Sequence, residues 1–321
     1  MSARRLLQLV LLVQAIAALG IALAAMRWLD AGPWTAAALG CGSVALVRLL
    51  INMNNFVLAA FFASPTPPAF RLGPLQTLRL LAEEFGASMF YTSWTMPWAR
   101  AGMRTYADSA AVPVLLVHGY GCNSGYWAHL LPRLARARIS HATVDLAPVA
   151  GNIEHYVDQV ERAVEHLRAQ TGVARIAIVA HSMGGLVARA WLRRYGGEQG
   201  GGQGGKRIVR VITLGTPHFG TGLANFGLGV NAAQMRRRSG VPCDWLRRLD
   251  ADEDAARRAL FTSIFSHHDN IISPQTSSQL PGARNLAFGG IGHVALGRNP
   301  RILDAVMAEL AAMESEGSLR A

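Results

Sequence analysis

Residues Arg175–Trp191 read RIAIVAHSMGGLVARAW, and the order of residue types here decides how the rest of the chain is read. RIAIVA (175–180) is a continuous apolar run, the pattern of a strand covered on both faces. Ser182 follows at once, then Gly184 and Gly185, and Leu186 begins a helical stretch. A strand, a sharp turn holding a serine and then a helix make up the context of a nucleophile elbow, usually written G-x-S-x-G. Ala180 stands where the leading glycine would be. The competing reading is a serine in an ordinary glycine-rich turn. A serine alcohol is a poor nucleophile without a base, so other strand ends must supply the rest of the chemistry.

Similar runs flank this one. Val112–Val117, Ala142–Leu146, Ile208–Leu214 and Phe261–Ser266 are short and apolar, and Arg284–Phe288 is a weaker sixth. Between them Ile153, Tyr156, Val157, Val160, Val164 and Leu167 share one helical face, and Ile302–Met313 supplies a last helix. Strand–helix alternation predicts an α/β fold, a mostly parallel sheet with helices on both faces. Active groups in such sheets collect beyond the carboxyl ends of the strands. Gly196–Gly205 is low-complexity and reads as a surface loop.

Every candidate catalytic residue falls just after a predicted strand. HGYG (118–121) follows the first, and its glycines let backbone approach a substrate closely. The backbone N–H of Tyr120 and that of Met183, directly after the serine, are the expected oxyanion donors. Asp269 ends FTSIFSHHD, and His293 lies in GGIGHVALG. Ser182 is the candidate nucleophile, His293 its general base and then acid, and Asp269 the group that orients the imidazole. Asp145, Asp250, Asp252 and Asp254 are weaker competitors for the acid. His118, His181 and His218 read as structural, and His267 and His268 as neighbours of the acid. No metal-ligand spacing, phosphate loop or cofactor motif is present, so no metal or cofactor is expected.

Val112 to Met313 resembles an α/β-hydrolase of the bacterial lipase and esterase type. The residues that carry the resemblance are HGYG (118–121), AHSMGG (180–185), TLGTPHFGT (213–221), Asp269 and His293, in the order Ser…Asp…His. The resemblance implies ester hydrolysis through an acyl-serine and leaves the substrate open. Ala180 and the front of the chain depart from the pattern.

That front is apolar. Arg4 and Arg5 precede Leu6–Met26, 21 residues without a charge, long enough to cross a bilayer. A short polar break follows, then Trp34–Ile51, interrupted only by Arg48, then three asparagines (52, 54 and 55) and a further apolar patch, Phe56–Ala63. A cleaved signal peptide is the competing reading, with Ala22-Leu23-Ala24 as its site, although the uncharged run is long for one. The favoured reading is a transmembrane hairpin with an inside N-terminus, which returns the main domain to the cytoplasmic face of the inner membrane. If Trp34–Ile51 only lies along the interface, the domain is outside.

The expected organisation is a membrane-anchor hairpin (1–63), a linker and packing segment (64–111) and a catalytic domain (112–321) with a lid or cap at about 217–259. SPTPP (64–68) reads as the linker, and FYTSWTMPW (90–98) either fills a groove or packs on the main domain. Pro217–Ala259 is too long for a simple connection, and its Arg236-Arg237-Arg238 run would face anionic headgroups. Tyr120, Phe219 and Phe226 are the expected substrate contacts.

Half of the 321 residues are hydrophobic and 16% are charged, which allows a large core; net charge is +11. That charge favours an anionic surface, and with no nucleic-acid-binding motif the expected partner is an anionic membrane leaflet, not nucleic acid. The three cysteines (41, 122 and 243) make no disulfide framework, though a Cys122–Cys243 bridge stays open. Together these readings predict a membrane-attached serine hydrolase of carboxylic esters, a lipase or esterase whose partner is its lipid or acyl-ester substrate. Alternatives are an acyltransferase or thioesterase using the same acyl-serine, and a catalytically idle binding module.

Overall fold

The computed structural model describes residues 1–196 and 207–318, so the predicted loop at 196–205 lies, apart from Gly196, outside the described residues. Seven strands form the main sheet: β1 (Met103–Arg104), β2 (Val114–Val117), β3 (His141–Val144), β4 (Ile176–His181), β5 (Ile208–Leu214), β8 (Phe261–Ser266) and β9 (Arg284–Phe288). They lie in the order β1-β3-β2-β4-β5-β8-β9. Only β1 is antiparallel; its neighbour β3 and all strands beyond run parallel. Strands β6 (Arg237–Arg238) and β7 (Val241–Pro242) form a separate small hairpin. All six strands read from sequence are present, and their side chains are buried on both faces from β2 to β4.

Two apolar cores sit on opposite faces of the sheet. One packs helix α5 (Ile153–Thr171) and α6 (Met183–Tyr195) against Leu115, Ile178 and Val211. The other packs the C-terminal helix Pro300–Ser318 and the aromatic segment around Tyr126 and Trp127 against Leu116, Val179 and Ile212. Odd and even positions of each strand thus go to different cores, as a doubly covered sheet requires. The predicted face of α5 is the buried one, and Asn152 caps the helix by accepting the N–H of Glu154.

Two long helices precede the sheet. Helix α1 spans Ala3–Trp28 and α2 spans Pro33–Ala60; both are long and apolar enough to cross a membrane. They pack against each other as a hairpin, and the approach is so close that a Cβ on Gly40 would fall 2.2 Å from the Ala18 carbonyl oxygen. Small residues let helices meet this closely. The apolar stretch Trp34–Ile51 does not end before the asparagines, because α2 continues unbroken through Asn52, Asn54 and Asn55. Both free ends of the hairpin touch the main domain: Val149 donates its N–H to the Met1 carbonyl, and Ser273 Oγ donates to the Ala59 carbonyl at 2.6 Å. Between these contacts most large side chains of the two helices are exposed, from Leu9 to Ile51.

Segment 64–111 lies against the domain. Helix α3 (Pro74–Phe90) buries Leu80, Glu84 and Ala87 on one face. A π-helical turn at Tyr91–Thr95 follows, and its Tyr91 is fully buried. FYTSWTMPW therefore packs on the domain, with Trp94 and Trp98 left exposed. Arg48 of α2 reaches this turn, donating to Ser93 Oγ at 2.5 Å and Thr92 Oγ1 at 3.0 Å. All three cysteines are free thiols, so no Cys122–Cys243 bridge forms.

Residues 217–259 are a compact insertion of short helices around the β6–β7 hairpin. Of its three successive arginines, Arg236 and Arg237 are half-buried and Arg238 is exposed. Arg237 donates to the Phe219 carbonyl, Arg238 to Asn225 Oδ1 and Arg236 to the Ala224 carbonyl. Their donors hold the insertion's own backbone and side chains.

Candidate active site

The turn after β4 carries the strain the sequence implied. Ser182 has φ +54° and ψ −126°, a left-handed conformation that a side-chain-bearing residue adopts only under constraint. Its N–H donates to the Leu214 carbonyl at 2.8 Å, and its carbonyl accepts from Thr216 Oγ1 at 2.9 Å. The first turn of α6 carries two glycines because it lies against the backbone of β2 and the side chain of Thr216. A Cβ on Gly184 would meet the Val117 carbonyl oxygen at 2.5 Å, and one on Gly185 would meet Thr216 Oγ1 at 2.1 Å. Ala180 is fully buried within the α5/α6 core, where its methyl has room.

The loop after β2 comes up beside the serine. A Cβ on Gly119 would stand 2.7 Å from Ser182 Cβ, so glycine is required there by proximity. The backbone N–H groups of Tyr120 and Met183 take no hydrogen-bond partner among the described residues. Two free donors flanking a strained serine are what an oxyanion would need. The Tyr120 hydroxyl donates to the Leu228 carbonyl at 2.8 Å, linking this loop to the insertion.

Asp269 and His293 meet beyond the ends of β8 and β9. His293 Nδ1 lies 2.7 Å from Asp269 Oδ2, both side chains buried. Asp269 Oδ1 accepts the N–H groups of Ile271 (2.9 Å) and Ile272 (2.7 Å), and Asn270 Oδ1 accepts the N–H of His293. Gly215, at φ +55°, passes so close that a Cβ there would be 3.0 Å from Asp269 Oδ2 and 3.2 Å from His293 Nδ1. Burial lowers the proton affinity of His293, but the Asp269 charge and hydrogen bond, helped by Glu84, outweigh it and leave the pKa above the ordinary histidine value. The Ser182 hydroxyl itself makes no hydrogen bond among the described residues and borders a cavity.

The other motif residues are held elsewhere. His118 Nδ1 donates to the Gly119 carbonyl and Nε2 accepts the Leu146 N–H, which fixes its tautomer as a strut between two loops. His181 stacks on Tyr126, with ring centroids 4.0 Å apart, and His218 is buried among Thr213 and Ser263. His268 Nδ1 accepts the Gly290 N–H beside the acid loop. Asp145 is taken up by Ser124 and the Ala101 N–H, while Asp250 and Asp254 pair with arginines.

The cavity has a volume of about 280 Å³. Ser182, Tyr120 and Phe226 line it with Leu223, Ala224 and Ile272. Phe219 does not: it packs against the α5/α6 core, because the turn at Pro217–Gly220 carries it away from the cavity while its N–H bonds to the Ser277 carbonyl. Two residues that sequence reasoning passed over, Asn55 and Leu58 of α2, also line it.

Glu84 was also passed over. It is fully buried, with Oε1 accepting the Val294 N–H and Oε2 the Ala295 N–H, both at 2.9 Å. Burial pushes its pKa up to about 7 against the pull of those two hydrogen bonds. The signal that could have found it is a carboxylate on the apolar face of α3, in register with Leu80 and Ala87.

Residues 112–238 match the family model described as alpha/beta hydrolase fold. Among solved structures, the mature form of a Bacillus licheniformis lipase is similar at 19% identity and TM-score 0.53, over 66% of this chain and 97% of that one. Lipase B of Aspergillus fumigatus is similar at 18% identity and TM-score 0.53, over 66% of this chain and 56% of that one. With the parallel sheet, the strained serine after β4 and this match together, the domain that follows the N-terminal helices has an α/β-hydrolase fold.

Proposed function

We propose that the chain is a membrane-attached carboxylic-ester hydrolase that works through Ser182, His293 and Asp269. The observation that carries the reading is a strained, cavity-facing Ser182 and a buried Asp269–His293 hydrogen bond, all beyond the carboxyl ends of the parallel strands. Ser182 Oγ attacks the ester carbonyl while His293 Nε2 takes its proton, and Asp269 stabilises the imidazolium through Nδ1–H. The negative charge that develops on the carbonyl oxygen is met by the N–H groups of Tyr120 and Met183. His293 then returns the proton to the departing alkoxide, leaving an acyl-serine. Water, deprotonated by His293, releases the acid and restores the serine.

Membrane attachment rests on α1 and α2. The hairpin is held at its two ends, by Met1 on Val149, Gln8 on Pro97 and Ala59 on Ser273, and its legs expose apolar side chains over enough length to cross a bilayer. Both helix ends near the domain then share one side of the membrane, together with Arg4, Arg5, Arg71 and Arg79. The positive-inside rule assigns that side to the cytoplasm. On this reading residues 1–63 are the anchor, 64–111 brace the domain against it and 112–321 carry the chemistry, with 217–259 as a cap.

Two measurements test the proposal. The detergent-solubilised protein and Ser182→Ala are treated with a fluorophosphonate and assayed on p-nitrophenyl esters. Labelling and hydrolysis by the wild type, both lost in the variant, are expected; an unlabelled wild type overturns the enzyme reading. A reporter active in one compartment only, fused after Ser64, reads the side of the membrane.

A further inference from the structure

The cavity beside Ser182 is walled in part by a helix from outside the hydrolase fold. Asn55 and Leu58 of α2 line it and share one helical face with Ala59 at the spacing i, i+3, i+4, and Phe62 follows in the turn just past the helix end. That face is fastened to both protein walls of the cavity. The Ala59 carbonyl accepts from Ser273 Oγ, four residues after Asp269 on the acid loop that also brings Ile272 to the cavity. Phe62 fills the space over Gly222 so fully that a Cβ there would fall 2.3 Å from its ring, and Gly222 begins the short helix carrying Leu223 and Ala224. Just beyond, Ser64 donates its N–H to Gln275 Oε1. The end of α2 is thus wedged between the acid loop and the insertion.

The other side of the same helix is exposed and apolar, through Leu46, Leu50 and Val57. The insertion exposes Phe226, Leu228 and Val230 near the same mouth, and Phe226 is itself a cavity residue. Exposed apolar side chains gathered at one entrance mark a surface that meets something other than water. Within the hydrolase reading proposed above, on which this inference rests, we infer that α2 is part of the acyl-binding wall and that the substrate is an ester lipid resident in the bilayer. Its acyl chain enters from the leaflet that surrounds α2 and lies along Leu58, with the ester carbonyl at Ser182. Leu58 sets the depth of the acyl site, and Asn55, the polar member of the wall, lies where the chain passes from bilayer to cavity. The hairpin is then a substrate-binding element as well as an anchor, which accounts for its hydrogen bonds to the acid loop; a passive tether needs none.

The full-length protein in phosphatidylcholine proteoliposomes tests this. The kcat/KM for p-nitrophenyl esters from the acetate to the hexadecanoate, and from it the ratio of dodecanoate to acetate, is compared in wild type, Leu58→Trp and Leu58→Ala, with fluorophosphonate labelling in every sample. Leu58→Trp is expected to lower the ratio at least tenfold by filling the cavity. Leu58→Ala, which only removes atoms, covers the case in which the larger side chain prevents folding, and it is expected to move the preferred chain length upward by two carbons or more. An unchanged chain-length profile in labelled Leu58→Ala overturns the role of α2, whereas an unlabelled wild type overturns the hydrolase reading itself. Delivery is read with a fluorogenic long-chain diacyl lipid placed either in the enzyme's own vesicles or in separate ones. Turnover at least tenfold faster in the shared bilayer is expected, and equal rates overturn entry from the leaflet.

Discussion

Glu84 Oε1 accepts the backbone N–H of Val294 at 2.9 Å, so a helix that precedes the sheet holds the residue directly after His293. Ala295 is held by the second oxygen of the same carboxyl group. The loop that presents His293 is therefore clamped from below by Asp269 and from the side by α3.

This clamp gives stability a pH dependence. Glu84 titrates near 4.5 when unfolded and at about 7 in the fold, so between these values the folded protein keeps a proton that the unfolded chain releases. Stability should fall as pH rises across that window, by up to about 1.4 kcal/mol per pH unit for this one group. Urea unfolding of wild type and Glu84→Gln at pH 5 and pH 7 checks it: the variant should show a flatter dependence, and an identical slope in both proteins counts against the assignment.

His293 must be neutral to accept the serine proton, and its pKa is held above the ordinary value. The acid limb of kcat/KM should accordingly lie above about 6.5. Replacing Asp269 by Asn removes the charge that raises it, so the limb should move to lower pH while kcat falls by on the order of 10³–10⁴-fold. Glu84→Gln should move the limb in the same direction by less, with a much smaller loss of kcat. A limb unmoved in both variants would mean that another group governs activity.

The elbow tolerates atoms on one side and not on the other. Ala180→Gly should be mild, since it only deletes a methyl, and Ala180→Val should depress activity by crowding a fully buried site. Gly184→Ala should be worse than either, because the obstructing atoms are the carbonyls of Val117 and His118 and not a flexible side chain. Thermal unfolding and initial rates of the three variants rank them.

Arg189 is fully buried on α6, its guanidinium paired through two 2.7 Å contacts with Glu253 of the insertion and donating also to the His218 carbonyl. Removing one partner strands a buried charge, so Arg189→Met should cost about 3–5 kcal/mol. The double change Arg189→Met with Glu253→Met should recover most of that loss. Denaturant titrations of the two singles and the double settle the coupling, and additive losses would refute it.

The sequence by itself determined the strands, the helical face of α5, the turn that carries Ser182 and the order of serine, acid and base. Each of these is local: a run of apolar residues, a period of 3.6, a glycine where backbone must approach backbone. It also showed two stretches apolar enough to be helices in a bilayer. The tertiary structure decided what those stretches do next to the site. Asn55 and Leu58 meet Ser182 only because α2 continues past its asparagines and docks between the acid loop and the insertion, more than a hundred residues away in sequence. It moved Phe219 out of the cavity and turned Arg236 and Arg237 toward backbone carbonyls. It brought Glu84 to the His293 loop across 210 residues. No periodicity records which distant surface an apolar face or a buried carboxylate meets, because that is fixed by packing between elements and not by the propensities within them.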